Sequence, residues 1–142
     1  MAVSLRRIGS LDANKQLVRD FYEQAINGRD LGAVERLLTD DFRHDGELRG
    51  RDGQRSAVAA FLDAFPDLEH RIDQILAEGD LVAARQTWRG THAGEFAGVP
   101  ASGRRVEFGS TAVLEVRDGL IAAAWDRVDV AGLMAQITGA DD

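Results

Sequence analysis

Residues 106–130 read "VEFGSTAVLEVRDGLIAAAWDRVDV", two runs of strand-forming residues around the turn signal Arg117, Asp118, Gly119. Taken as a three-residue turn, the hairpin pairs Val116 with Leu120, Leu114 with Ala122, Ala112 with Ala124 and Ser110 with Asp126. Directly opposed residues share a face of the sheet. One face then carries Val106, Phe108, Ser110, Ala112 and Leu114 from the first strand, with Leu120, Ala122, Ala124, Asp126 and Val128 from the second. The other carries Arg105, Glu107, Thr111, Glu115, Trp125 and Arg127. The apolar face is the one turned to the core, and Asp126 lies on it.

Around Asp126 that face is short of bulk. Ser110, Ala112 and Ala124 leave space that something else must fill, which implies a cavity. Two readings of Asp126 follow. A carboxylate short of water inside a cavity is a candidate proton carrier; equally, an inward Asp can salt-bridge an Arg or accept backbone N–H bonds as part of the fold.

Working outward, helical periodicity precedes the hairpin. From Asp12, a candidate N-cap, Leu17, Val18, Phe21, Tyr22, Ala25 and Ile26 form one apolar stripe. Residues 1–11 before it read as a loose leader. "NGRD" ends this helix, and Asp30 can cap a second with Leu31, Val34, Leu37 and Leu38 inward. "DDFRHDGELRGRDG" has no period and reads as a polar connection. Asp52 opens a third helix, with Ala57, Val58, Phe61, Leu62 and Phe65 on one side and Pro66 at its end. Leu68 and Ile72 suggest a strand, "LVAARQTWRG" a second, and a Gly-rich loop leads to the hairpin. Asp129 is placed to cap a short tail helix. Helices followed by a meander of antiparallel strands define an α+β class, three N-terminal helices lying on one face of a curved sheet. Trp88 and Trp125 are expected on the outer face, where a homodimer would bury them.

The totals narrow the function. The chain of 142 residues, 44% apolar, fits one domain spanning 1–142. With 24 acidic and 17 basic residues, the net charge of −7 opposes a nucleic-acid role. There is no apolar run of about 18 residues and no signal-peptide pattern, so a cytoplasmic protein with no membrane role is expected. The absence of cysteine and the isolated histidines at 44, 70 and 92 give no metal-site spacing, and neither a metal nor a cofactor is expected. "GVPASG" lacks the lysine and following helix of a phosphate loop.

Several stretches, "AINGRDLGAVERLLTDDFRHDG", "AFPDL", "GTHAGEFAGVPASGRRVEF" and "VRDGLIAAAWDRVDVAGLMAQI", resemble the SnoaL-like polyketide cyclases and their ester cyclase relatives, of the NTF2-like superfamily. The resemblance runs from about residue 12 to 138. It implies a cone of curved sheet around helices, a small apolar or polyketide-like ligand inside, and a dimer. It also implies cofactor-independent cyclase or isomerase chemistry in which an Asp on the last strand, here Asp126, is the general acid/base of an intramolecular aldol closure. The cyclases carry Gln and His on the preceding strand and a His two residues before the Asp; those positions hold Ser110, Ala112 and Ala124 here. His44 falls at the cavity mouth, where the relatives often have Asn or His, and His92 matches a loop position that braces rather than reacts. With Tyr22 and Phe108 as wall residues, Tyr22 the one with a polar handle, these make up the candidate site. Two alternatives stand beside this reading. One is a ligand-binding or accessory protein of the same fold. The other is a limonene-type epoxide hydrolase, for which Arg85 would face the cavity, with Thr87 standing where an Asp is needed.

Overall fold

Asp118 and Gly119 both sit at positive φ, 53° and 77°, so the decisive hairpin turns on two residues, with Arg117 opposite Leu120. The expected three-residue turn is therefore replaced, and the register slips. Val116 pairs with Ile121 and Glu115 with Ala123, leaving Ala122 as the extra residue of a bulge. Ala112, rather than Ser110, comes to lie opposite Asp126, and Ser110 lies opposite Val128. A slip of two keeps every one of these side chains on its expected face. Between bulge and turn the parity inverts, so Ile121 takes the inward place expected of Leu120 and is fully buried.

The fold is that of a computed structural model describing residues 2–140. In chain order it comprises α1 (Ala2–Tyr22), a π-helical turn (Glu23–Asn27), α2 (Gly32–Leu37), β1 (Leu38–His44), β2 (Glu47–Leu48) and α3 (Gly50–Ala64). The second half contributes β3 (Glu69–Glu78), β4 (Leu81–Thr91), β5 (Arg105–Arg117), β6 (Leu120–Val128) and α4 (Val130–Thr138). The strands form one curved, unclosed sheet in the order β2-β1-β6-β5-β4-β3. Among the described residues no helix is long and apolar enough to cross a membrane.

The periodic helices stand as expected, with Val18, Phe21, Tyr22, Ala25 and Ile26 of the first stripe buried together with Val34, Val58 and Phe65. Their boundaries differ. The first helix runs through Asp12, which forms an ion pair with Lys15 at 3.5 Å instead of capping; the residues before it, expected as a leader, include Leu5, Arg6 and Arg7, good helix formers with no proline to stop them. Asp129 does cap α4, accepting from the Gly132 N–H at 2.9 Å.

The polar connection is the larger correction. It contains β2 and β1 from Asp40 onward, Leu38 opening that strand instead of ending the second helix, and β1 runs parallel to β6, so the sheet is not purely antiparallel. In β1 only Leu38, Thr39 and Phe42 are buried. A strand near a sheet edge needs partners more than an apolar alternation of its own. The pairing matters for function, because it sets His44 beside Ala124.

Candidate active site

The concave face of the sheet and the helices enclose a cavity of about 260 Å³. Its wall is largely aromatic and aliphatic: Phe21 and Tyr22 from α1, Phe61 from α3, Trp88 from β4, Phe108 from β5 and Ile121 from β6 all line it. Small-molecule sites have this character, an apolar wall with a few placed polar groups. The polar groups here gather at the β1–β6 side, where His44 and Asp126 line the same cavity together with Gln54 of α3.

Asp126 and His44 meet directly. His44 Nε2 lies 3.0 Å from Asp126 Oδ2, with about a fifth and a quarter of the two side chains exposed. A contact of this length between a ring nitrogen and a carboxylate oxygen carries one proton, so the pair can hold a proton and hand it on. The sequence reading expected small groups in place of the usual histidine before the Asp, and Ala124 does stand there. The parallel ladder pairs that alanine with His44, so the imidazole reaches Asp126 from the neighbouring strand.

Other candidates divide. Tyr22, Phe108 and Ala124 line the cavity. Burial and the charge of Asp126 hold the Tyr22 phenol above its ordinary range, with a Gln86 hydrogen bond acting the other way; it is therefore a neutral hydroxyl and a hydrogen-bond donor. Ser110 and Ala112 face inward but are buried behind the wall. Arg85 is the correction. The inward residues of β4 are Val82, Ala84, Gln86 and Trp88, so Arg85 and Thr87 point to the outer face. There Arg85 Nε donates to Gln74 Oε1 at 3.0 Å, and Thr87 to Asp73 Oδ2 at 2.6 Å. The Arg–Asp arrangement of a limonene-type epoxide hydrolase is not built into this cavity. His92 braces its loop, with Nδ1 2.8 Å from Ser102 Oγ.

Three residues in or behind this wall are not marked by the sequence. Trp88 was expected outside with Trp125; instead it stacks parallel to Phe108, ring centroids 6.1 Å apart, and only Trp125 remains on the outer face. The parity of β4 became readable only from its pairing with β5, which sets Trp88 opposite Phe108. Behind the wall, Gln86 and His70 form a buried polar chain. His70 Nε2 meets Gln86 Oε1 at 2.5 Å, Gln86 Nε2 donates to Ser110 Oγ at 3.2 Å, and Trp88 Nε1 donates to the same hydroxyl at 2.8 Å. The His70 ring stacks on Tyr22 at 4.2 Å. This chain holds Tyr22 and Trp88 in place. No spacing in the sequence announces it, since a single His and a single Gln on separate strands carry no pattern.

Burial pushes the His70 imidazole down to about 4, against the pull of Gln86 and nearby carboxylates. The unfolded chain thus binds the extra proton first as pH falls, so stability rises with pH across this window. We expect the protein to lose on the order of 3 kcal/mol of stability between pH 6.5 and 4 through this group. Urea denaturation across that range should show the slope, and His70→Phe should flatten it.

Residues 16–137 match the family described as SnoaL-like polyketide cyclase, and the chain belongs to that family. Its architecture is the NTF2-like one of the family's solved structures. Aklanonic acid methyl ester cyclase DnrD of Streptomyces peucetius is 31% identical over 106 residues, 73% of this chain and 72% of that one. Among solved structures, TsrD from Streptomyces laurentii shares 33% identity at a TM-score of 0.82, covering 89% of this chain and 95% of its own. IdmH from Streptomyces antibioticus shares 31% at 0.78, covering 88% and 98%.

Proposed function

We propose that this protein is a polyketide cyclase-type enzyme closing a ring in a small, largely apolar, polyketide-like molecule, with Asp126 as general acid/base. The observation that carries the reading is the Asp126–His44 contact of 3.0 Å at the polar side of an otherwise apolar cavity. The curated relative named a methyl ester cyclase supports the reaction class.

The chemistry is an intramolecular aldol addition. Asp126 removes a proton from a carbon flanked by carbonyls; the resulting enolate carbon attacks a further carbonyl of the same molecule, forming the C–C bond. The new alkoxide then takes the proton back from the Asp126–His44 pair. Nothing is gained or lost overall, so product and substrate are isomers. Tyr22, as a neutral phenol at the wall, is suited to donate to an enolate or carbonyl oxygen. The aromatic wall supplies affinity and excludes water, which would otherwise compete for the enolate.

The reading includes a homodimer through the outer face. Leu76, Ala83, Val113 and Trp125 lie in one row across β3 to β6, with Leu76 and Trp125 exposed, an apolar stripe of the kind a second copy would cover.

The test is turnover. Purified protein given an open-chain aryl β-dicarbonyl compound with a further ketone in reach should yield a cyclic isomer of unchanged mass. Tight binding of such compounds without any conversion would instead support a binding protein.

A further inference from the structure

Asp126 and His44 share a neighbour that no feature of the sequence marks. Asp45 occupies the turn between β1 and β2 with φ at 50°, followed by Gly46 at 86°. Its backbone N–H donates to the Ala124 carbonyl at 2.9 Å, fastening the turn to β6 two residues before Asp126. Its carboxylate does more. Oδ1 accepts the backbone N–H of Asp126 at 3.1 Å and lies 3.3 Å from the Arg127 guanidinium, while Oδ2 lies 3.5 Å from Nδ1 of His44. One side chain thus reaches the main chain that carries Asp126 and the far side of the ring that meets it.

We infer that Asp45 is a positioning residue for the proposed reaction. It ties down the main chain at Asp126 and stands at the Nδ1 edge of the His44 ring, so that carboxylate and imidazole stay facing one another across the Nε2–Oδ2 contact. The inference rests on the reading of Asp126 as the acid/base. The hydrogen bond of the pair is the 3.0 Å contact between Nε2 and Oδ2, and Asp45 Oδ2 closes the opposite edge of the ring at 3.5 Å. The hydrogen bond to the Asp126 N–H adds a geometric hold, since it fixes the strand at the residue whose carboxylate must meet the substrate carbon.

Other neighbours of the His44 ring do not offer this. Ala124, its ladder partner, has no polar side chain, and the Arg127 guanidinium is taken up by Asp45 Oδ1 and the Asp126 carbonyl. Asp45 is the group whose one carboxylate meets both members of the pair.

Two variants and one spectroscopic measurement test this. Asp45→Asn keeps an acceptor for the Asp126 N–H but removes the charge facing His44; Asp45→Gly removes both and suits the positive φ, so the turn remains buildable. In turnover of the β-dicarbonyl compound, we expect kcat to fall about tenfold for Asn and on the order of a hundredfold for Gly, with KM within about twofold of the parent. In 15N-labelled protein without substrate, the Asp126 amide should exchange with solvent deuterium on the order of a hundredfold faster in Asp45→Gly than in the parent, with Asp45→Asn close to the parent. An Asp126 amide equally protected in the parent and in Asp45→Gly, or a Gly variant that keeps the parent's kcat, would overturn the inference. A kcat loss that matches lost folded fraction in urea denaturation would do so as well. If the parent turns nothing over, the cyclase reading fails while the amide-exchange measurement still decides whether Asp45 holds Asp126.

Discussion

Asp126→Asn is expected to lower kcat on the order of 10³-fold, within the span that general acid–base catalysis supplies, equivalent to about 4 kcal/mol of barrier. The substitution is nearly isosteric. Asn keeps an oxygen for His44 Nε2 at the position Asp126 Oδ2 holds, 3.0 Å away, and the backbone N–H bond to Asp45 does not involve the side chain exchanged. Structure and KM should therefore survive while proton transfer does not. Steady-state kinetics beside a thermal melt separate the two. A variant that melts like the parent and turns over like it would remove Asp126 from the mechanism.

Gln86→Leu should show the largest effect on stability. The side chain is 1% exposed and links His70 to Ser110. Removing it leaves the His70 N–H buried without a partner, while Ser110 keeps Trp88. A loss of about 2–4 kcal/mol is expected, the cost of lost hydrogen bonds and one stranded donor, or roughly 10 °C in Tm. Adding His70→Phe should recover much of it, because both polar partners are then apolar and the ring can still stack on Tyr22. Urea denaturation of the two single variants and the double measures this coupling. A double variant no more stable than Gln86→Leu alone would mean that the buried chain is not what holds this wall.

Much of the fold was legible because its signals are local. Helical stripes at Val18 to Ile26 and around Val58 need only their own spacing, and β5 alternates buried and exposed along its whole length. The hairpin illustrates the limit. "RDG" marks a turn but not its length, and the bulge at Ala122 follows from three alanines that fit either face. Asp126 keeps its inward face because a two-residue slip preserves parity. Strands β1 and β2 were missed for a related reason: "TDDFRH" is defined by its neighbour β6 rather than by a pattern of its own. His44 was named for its place at the cavity mouth, yet its contact with Asp126 depends on that unseen pairing. Nothing in a single strand says which parity is inward, so the sequence leaves Arg85 open to the cavity and expects Trp88 outside; the ladder to β5 reverses both. Gln86, His70 and Asp45 act across strands, and contacts between single residues far apart in sequence have no one-dimensional signature.

If Asp126 takes a proton from substrate carbon inside this cavity, it will do so from an analogue whose electrophilic ketone, the one outside the β-dicarbonyl unit, has been reduced, so that ring closure is impossible and only proton abstraction can occur. In D2O, the protein should catalyse exchange of the acidic C–H of the bound analogue for deuterium, read by mass spectrometry or proton NMR, and Asp126→Asn should exchange at the rate of buffer alone. Equal exchange by parent and Asp126→Asn would mean that another group takes the proton.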